Sequence, residues 1–220
     1  NMQSQYTLLA SASRSANMDR IIRTFLERRP DGVIVQLGCG LETTYHRCDN
    51  GKTHWYAVDL PHVIEYRRGL LPEPERELYI SGDAFAKDWI KKVRNDVLDA
   101  PILVIAGGVF HYFEEHKVIA LLRMIGQFGN MEVVFDTVNK RGMTMMKKKY
   151  MKQVGHADAQ MFFYVDSAEE LAAKIGGNVK VITEEPYYRY IPKNSLKLST
   201  KVSMAVSDQF KMVKMIHLKL

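Results

Sequence analysis

The stretch Val33-Ile34-Val35-Gln36-Leu37-Gly38-Cys39-Gly40-Leu41-Glu42-Thr43-Thr44-Tyr45 decides the fold. A run of β-branched and aliphatic residues that stops abruptly at G-x-G reads as a buried parallel strand entering a tight turn. Glycine is required in such a turn because a Cβ would block both the bend and the close approach of a ligand. The next apolar run, His54 to Val58, ends in Asp59-Leu60-Pro61. An acidic residue at the tip of the second strand, about twenty residues past the glycine turn, stands where a ribose diol needs acceptors. The competing reading of Asp59 is a helix N-cap ahead of Pro61.

The turn also discriminates between nucleoside cofactors. A dinucleotide fingerprint has a third glycine three residues after the second, which lets a phosphate sit on the helix N-terminus. Here that position is Thr43, and Glu42 lies in the turn. A carboxylate beside a diphosphate is unfavourable, so S-adenosylmethionine, which has no phosphate, fits better than a nicotinamide dinucleotide. A nicotinamide-dependent dehydrogenase is the alternative enzyme.

Working outward, residues 4–16 are polar and rich in small side chains, and Met18, Ile21, Ile22, Phe25 and Leu26 then follow the spacing of an amphipathic helix. The polar start reads as the interior of a loop. Pro30-Asp31-Gly32 stops the helix ahead of the first strand. Pro61 opens a helix, Leu78 to Ile80 forms a third strand ending in Ser81-Gly82-Asp83, and Trp89, Ile90 and Val93 mark a helix. Ile102 to Ala106 is a fourth strand, followed by Gly107-Gly108-Val109-Phe110-His111-Tyr112 and a helix carrying Val118, Leu121, Leu122 and Ile125. Glu132 to Asp136 reads as the fifth strand, Gly142 to Val154 as a helix, and Ser167 with Glu170 as a capping box. Val179 to Ile182 is a sixth strand, 194–210 winds back over the sheet, and Met212 to Leu220 is the last strand. Alternating strands and helices predict an α/β fold with a mostly parallel sheet. Gly38, Asp59, Asp83 and Gly107 all fall at carboxyl ends of strands, where such sheets bind ligands.

Composition narrows the classes further. At 220 residues the chain suits one domain, 1–220, with its own core. Its net charge of +6 is most concentrated at Lys147-Lys148-Lys149 with Lys152. Consecutive helical residues fan around the axis, so this reads as a solvated helix face, and no nucleic-acid partner is expected. No apolar run reaches membrane-spanning length, so no membrane partner is expected either. The two cysteines, Cys39 and Cys48, have neither metal nor disulfide spacing, which makes a cytoplasmic home the default. His111 and His116, five apart, fall on different helix faces, and no metal site is expected. Nothing in the pattern specifies an oligomeric state.

The motifs Leu37-Gly38-Cys39-Gly40-Leu41-Glu42-Thr43, Val58-Asp59-Leu60-Pro61, Gly82-Asp83-Ala84 and Ala106-Gly107-Gly108-Val109-Phe110-His111-Tyr112 resemble the leucine carboxyl methyltransferase superfamily. They are most similar to its bacterial branch of tetracenomycin-type polyketide O-methyltransferases. Asn50-Gly51, Trp55-Tyr56 and the ending Ile216-His217-Leu218-Lys219-Leu220 strengthen the likeness, which covers nearly the whole chain. The resemblance implies a Rossmann-like, seven-stranded sheet with an antiparallel last strand, and an S-adenosylmethionine site. It implies that Arg14, ahead of the first helix, meets the cofactor carboxylate. It also implies that the Gly38-Cys39-Gly40 turn lets the methionine portion approach, that Asp59 takes the ribose hydroxyls and Asp83 with Ala84 contacts the adenine, and that Leu60, Ala106 and Gly107 belong to the same cofactor site. Relatives carry a helical segment upstream that would cover the site.

Two positions depart from the family. Glu42 and Thr44 stand where an aspartate and an arginine are common, and Gly107 lies near the place of a glutamate in the carboxyl methyltransferases. The resemblance therefore implies methyl transfer to an oxygen of a small molecule, hydroxyl or carboxylate, in the polyketide-like class. A cofactor-binding protein without turnover is the alternative outside enzymes. A hydroxyl acceptor needs a base whereas a carboxylate does not. His111 is the candidate base and Tyr112 a positioning group; the other reading of both is packing beside the adenine pocket.

Overall fold

The computed structural model describes residues 5–154 and 160–220. Seven strands form one sheet in the order β3-β2-β1-β4-β5-β7-β6. They are β1 (Val33–Leu37), β2 (Trp55–Asp59), β3 (Glu77–Ser81), β4 (Ile102–Ala106), β5 (Met131–Val138), β6 (Lys180–Pro186) and β7 (Val213–Lys219). β7 runs antiparallel to both of its neighbours, and the other pairings are parallel. The chain reverses direction outward from β1 in both senses, to β2 and to β4, which opens a crevice at their carboxyl ends.

β1 and β4 are buried along their whole length, as expected of central strands covered on both faces. Their side chains alternate between two cores. Val33, Val35 and Leu37 join Ile102, Val104 and Ala106 against α4 (Asp88–Val97), α5 (Glu115–Gly126) and α7 (Ala168–Ile175). Ile34, Leu103 and Ile105 face the other way, against α1 (Gln5–Arg28), α2 (Thr44–Cys48) and α8 (Leu198–Gln209). α3 (Pro61–Leu70) buries Ile64 against Cys39, Ala57 and Tyr79 beneath the glycine turn. α6 (Lys140–Val154) follows β5. Lys147 and Lys148 on it are exposed, while the side chains of Lys149 and Lys152 lie outside the described residues.

The sequence expectations are corrected at the start of α1 and at the ends of the fifth and sixth strands, β6 running Lys180–Pro186 rather than stopping at Ile182, and the competing reading of Asp59 falls away. The polar stretch before Met18 is helix from Gln5 onward, not loop. Its small residues let the helix lie close to the sheet: Ser13 and Asn17 are buried, and Asn17 Nδ2 donates to the Tyr187 carbonyl at 2.8 Å. Gln5 Oε1 accepts from Thr200 Oγ1 at 2.8 Å, so α1 is held by contacts from β6 and α8 that local propensity does not contain. Arg14 is consequently inside the first helix. The fifth strand continues past Asp136 to Val138, because β7 supplies partners out to the pair Val138↔Val213. The N-cap of α3 is Leu60 and no side chain caps it, so Asp59 is not the cap. Ser167 does cap α7, its hydroxyl accepting from the Glu170 N–H at 3.4 Å.

Candidate active site

The glycine turn is built by contacts below it and left open above it. Gly38 and Gly40 both have positive φ, which favours glycine. A Cβ on Gly38 would lie 2.6 Å from Val109, so this glycine serves packing between the β1 and β4 turns. At Gly40 a Cβ would meet nothing within 4 Å: this is the position open to a ligand. Cys39 points down into the core, and burial, opposed by the Arg67 charge, pushes its thiol up to about 12. Only its backbone borders the turn.

Arg67 braces the turn from α3. Fully buried, it donates through Nη1 to the carbonyls of Gly40 (3.0 Å) and Glu42 (2.8 Å). Its Nη2 lies 3.6 Å from the buried Glu77 carboxylate, and its guanidinium stacks 4.8 Å from the Tyr79 ring centre. Arg47 of α2 ties the far side of the turn to α1 by a two-point pair with Asp19, at 2.7 and 3.0 Å. It also donates to Thr43 Oγ1 at 2.8 Å. The two threonines after Glu42 therefore sit beside an arginine, four residues past Thr43 and three past Thr44.

Asp59 is half-buried at the end of β2. Oδ2 accepts from the Gly40 N–H and Oδ1 from the Leu60 N–H, each at 2.8 Å. Each oxygen keeps acceptor capacity, so the carboxylate is pre-aimed across the crevice. Leu60 is exposed beside it. Asp83, at the end of β3, is exposed, with Oδ1 accepting from the Phe85 N–H at 2.9 Å. Ala84 is partly buried and its carbonyl accepts from the Trp89 indole at 2.9 Å.

On the β4 side, Arg14 reaches from α1 across the turn that follows buried Ala106. A Cβ on Gly107 would touch its Cδ at 3.4 Å, and one on Gly108 would lie 2.6 Å from its Nη1. The two glycines make room for this guanidinium, and a glutamate side chain in the turn would compete for the same space. Arg14 is 29% exposed and stands 3.9 Å from Asp136 Oδ2. His111 and Tyr112 follow on a single 3₁₀ turn, Phe110–Tyr112. His111 is buried, with Nε2 at 3.4 Å from Asp136 Oδ2, while Tyr112 is exposed and edge-on to the imidazole. The His111 carbonyl accepts from the Phe162 N–H at 2.8 Å, which fastens residues 160–165 over this turn.

Asp136 escaped the sequence reading, which took it only as the end of a strand. It is buried at mid-strand, and Oδ1 accepts from the Gly108 N–H at 2.6 Å. Burial alone would raise its pKa, but the hydrogen bond and charge of His111, the Arg14 charge and the Gly108 N–H together hold it below the usual carboxylate range. The available signal was an aspartate near the carboxyl end of the mostly apolar Met131-Glu132-Val133-Val134-Phe135-Asp136-Thr137-Val138, on the strand beside β4. The structure thus gathers Gly40, Asp59 and Leu60 at one end of the crevice and Arg14, Gly107 and His111 at the other. Cys39 and Ala106 turn their side chains into the core.

A model of the leucine carboxyl methyltransferase family matches residues 3–126. The chain belongs to that family. It is 30% identical over 166 residues, 74% of its length, to the tetracenomycin polyketide synthesis O-methyltransferase TcmP of Streptomyces glaucescens, and spans 60% of that protein. Among solved structures, a DUF574 family protein from Streptomyces avermitilis matches with a TM-score of 0.70 at 12% identity, over 94% of this chain and 82% of that one. Magnesium protoporphyrin IX methyltransferase from Synechocystis PCC 6803, solved with bound S-adenosylhomocysteine, matches with a TM-score of 0.57 at 11% identity, over 99% and 89%. At such identities these structures report the fold alone.

Proposed function

We propose that the protein is an S-adenosylmethionine-dependent O-methyltransferase acting on a small molecule of the polyketide-like class. The observation that carries the reading is the charge layout of the crevice, a pre-aimed carboxylate at one end and a half-exposed guanidinium at the other. Asp59 would accept from the ribose hydroxyls, and Arg14 would grip the methionine carboxylate through its two-donor fork. The open space over Gly40 leaves room for the chain between them. Leu60, Asp83 and Ala84 border the adenine end. Cofactor bound there supplies a methyl group activated on sulfonium sulfur. The protein's task is then to place the acceptor oxygen in line with that carbon, and alignment of this kind supplies several powers of ten.

A hydroxyl acceptor fits the residues better than a carboxylate. His111 stands beside the Gly107-Gly108 turn with Asp136 behind it, an arrangement suited to taking a proton, and the exposed Tyr112 next to it would orient the acceptor. A carboxylate acceptor would leave this pair without a task. The proposal includes a single domain over 1–220, a cytoplasmic site of action, and no nucleic-acid or membrane partner. Among the described residues no helix is long and apolar enough to cross a membrane.

The test is a calorimetric titration of S-adenosylhomocysteine and NAD, followed by incubation with methyl-labelled cofactor and an extract of small molecules read by mass spectrometry. Binding of the sulfur nucleoside, none of NAD, and a new methyl ether or ester are expected. Binding without any labelled product would favour a cofactor-binding protein, and binding of NAD alone a dehydrogenase.

A further inference from the structure

The carboxylate of Asp136 stands where three parts of the site meet: the Gly108 N–H at 2.6 Å, His111 Nε2 at 3.4 Å and Arg14 Nη1 at 3.9 Å. These groups come from the β4 turn, the 3₁₀ turn and α1. The Asp136 charge also acts on Tyr187, the residue after β6: burial, with that charge adding to it, drives its hydroxyl well above the ordinary range, so it stays neutral. Asp136 is 4% exposed, and a carboxylate removed from water needs such donors around it. An ionised carboxylate only accepts hydrogen bonds. The ring nitrogen facing it must therefore carry the hydrogen, and in a neutral imidazole the lone pair is left on the other nitrogen. That other nitrogen, Nδ1, is buried and has no hydrogen-bond partner among the described residues.

We propose that Asp136 is a positioning residue that fixes His111 as the Nε2–H tautomer, making Nδ1 the atom that takes the proton of the acceptor. The inference rests on the proposed role of His111 as base. In the step it serves, the acceptor O–H gives its proton to Nδ1 as the oxygen bonds the methyl carbon. The carbon–sulfur bond breaks and leaves its electron pair on sulfur. The products are the methylated oxygen, S-adenosylhomocysteine and an imidazolium whose charge faces Asp136, and the proton then passes to water.

Asp136→Asn separates this role from simple support of the turn. The asparagine Oδ1 still accepts from Gly108, but its amide now donates toward Nε2 and drives the hydrogen onto Nδ1. The experiment is nitrogen NMR of protein with ring-labelled histidine, loaded with S-adenosylhomocysteine, at a pH where free imidazole is neutral. Of the 7 histidines, His111 is assigned by its loss in His111→Gln. Expected is a protonated Nε2 in the wild type, a protonated Nδ1 in Asp136→Asn, and no tautomer change in the other histidines. A wild type with its hydrogen on Nδ1, or an unswitched variant, overturns the proposal. If the variant does not fold, the wild-type tautomer alone decides. Calorimetry on the same sample reports separately on the cofactor: no S-adenosylhomocysteine affinity would overturn the proposed function, while the tautomer is still read in the unliganded protein.

Discussion

Asp59 and Asp83 look alike in the sequence, each an aspartate at the end of a parallel strand, and the structure makes them unequal. Asp59 is half-buried and held by two backbone N–H groups at 2.8 Å, so little side-chain freedom is lost when a diol arrives. Asp83 is exposed and held on one oxygen only. Charge-assisted hydrogen bonds contribute about 1.5–3 kcal/mol each. Asp59→Ala is therefore expected to weaken S-adenosylhomocysteine by tenfold or more, and Asp83→Ala by clearly less. Calorimetry giving Asp59→Ala wild-type affinity would remove the diol role. Arg14 senses the other end of the ligand. Arg14→Ala should weaken S-adenosylhomocysteine about tenfold, or 1.4 kcal/mol, and leave methylthioadenosine, which lacks the amino-acid tail, nearly unchanged. Equal losses for both ligands would point to damage in α1 instead.

At the scale of elements, the glycine turn depends on a helix that touches no ligand. Arg67 of α3 satisfies two turn carbonyls and faces the buried Glu77 of β3. Burial raises the Glu77 pKa against the lowering effect of Arg67, so removing the arginine would leave a carboxylate uncompensated in the interior. Loss of one partner of a buried pair costs about 3–5 kcal/mol. Arg67→Met should lower unfolding free energy by that order in denaturant titrations, and Arg67→Met with Glu77→Gln should recover part of it. A double variant no better than the single one would show that the loss comes from the turn carbonyls alone. This brace was not legible in the sequence, because an arginine on an amphipathic helix reads as a solvated residue. β1 and β4 were legible, since continuous β-branched runs have few alternatives to a buried strand. The first half of α1 was not: Asn17 and Gln5 are held by Tyr187 and Thr200, more than a hundred residues away, and no local pattern encodes that. Arg14 was singled out by the family resemblance, whereas Asp136, 3.9 Å from that same guanidinium, lay hidden in a mostly apolar strand.

The whole molecule carries buried and partly buried acids shifted in both directions, and their balance sets its response to pH. Asp136 is held below the usual range as described, and Glu132 likewise: burial would raise it, but His217 at 2.8 Å and Arg28 more than offset this. Glu77 and Asp208 are shifted upward, mainly by burial. An acid with a depressed folded pKa stabilises the fold above its unfolded value and loses that contribution as pH falls through the folded one. An acid with a raised folded pKa does the reverse: the fold binds its proton first, so stability rises as pH falls toward the unfolded value. With unfolded values near 3.9 for Asp and 4.3 for Glu, the two effects separate along the axis. Glu77 and Asp208 act above about pH 4, and Asp136 and Glu132 below it. Unfolding free energy should thus gain from the first pair as pH falls toward about 4, then drop steeply. Glu77→Gln should remove part of the gain without touching the drop, and Glu132→Gln should flatten the drop without touching the gain. Glu132 and His217 lie outside the proposed crevice residues, so this measurement is independent of any ligand. An acid limb equally steep in Glu132→Gln and in the wild type would show that the buried Glu132–His217 pair does not govern the acid transition.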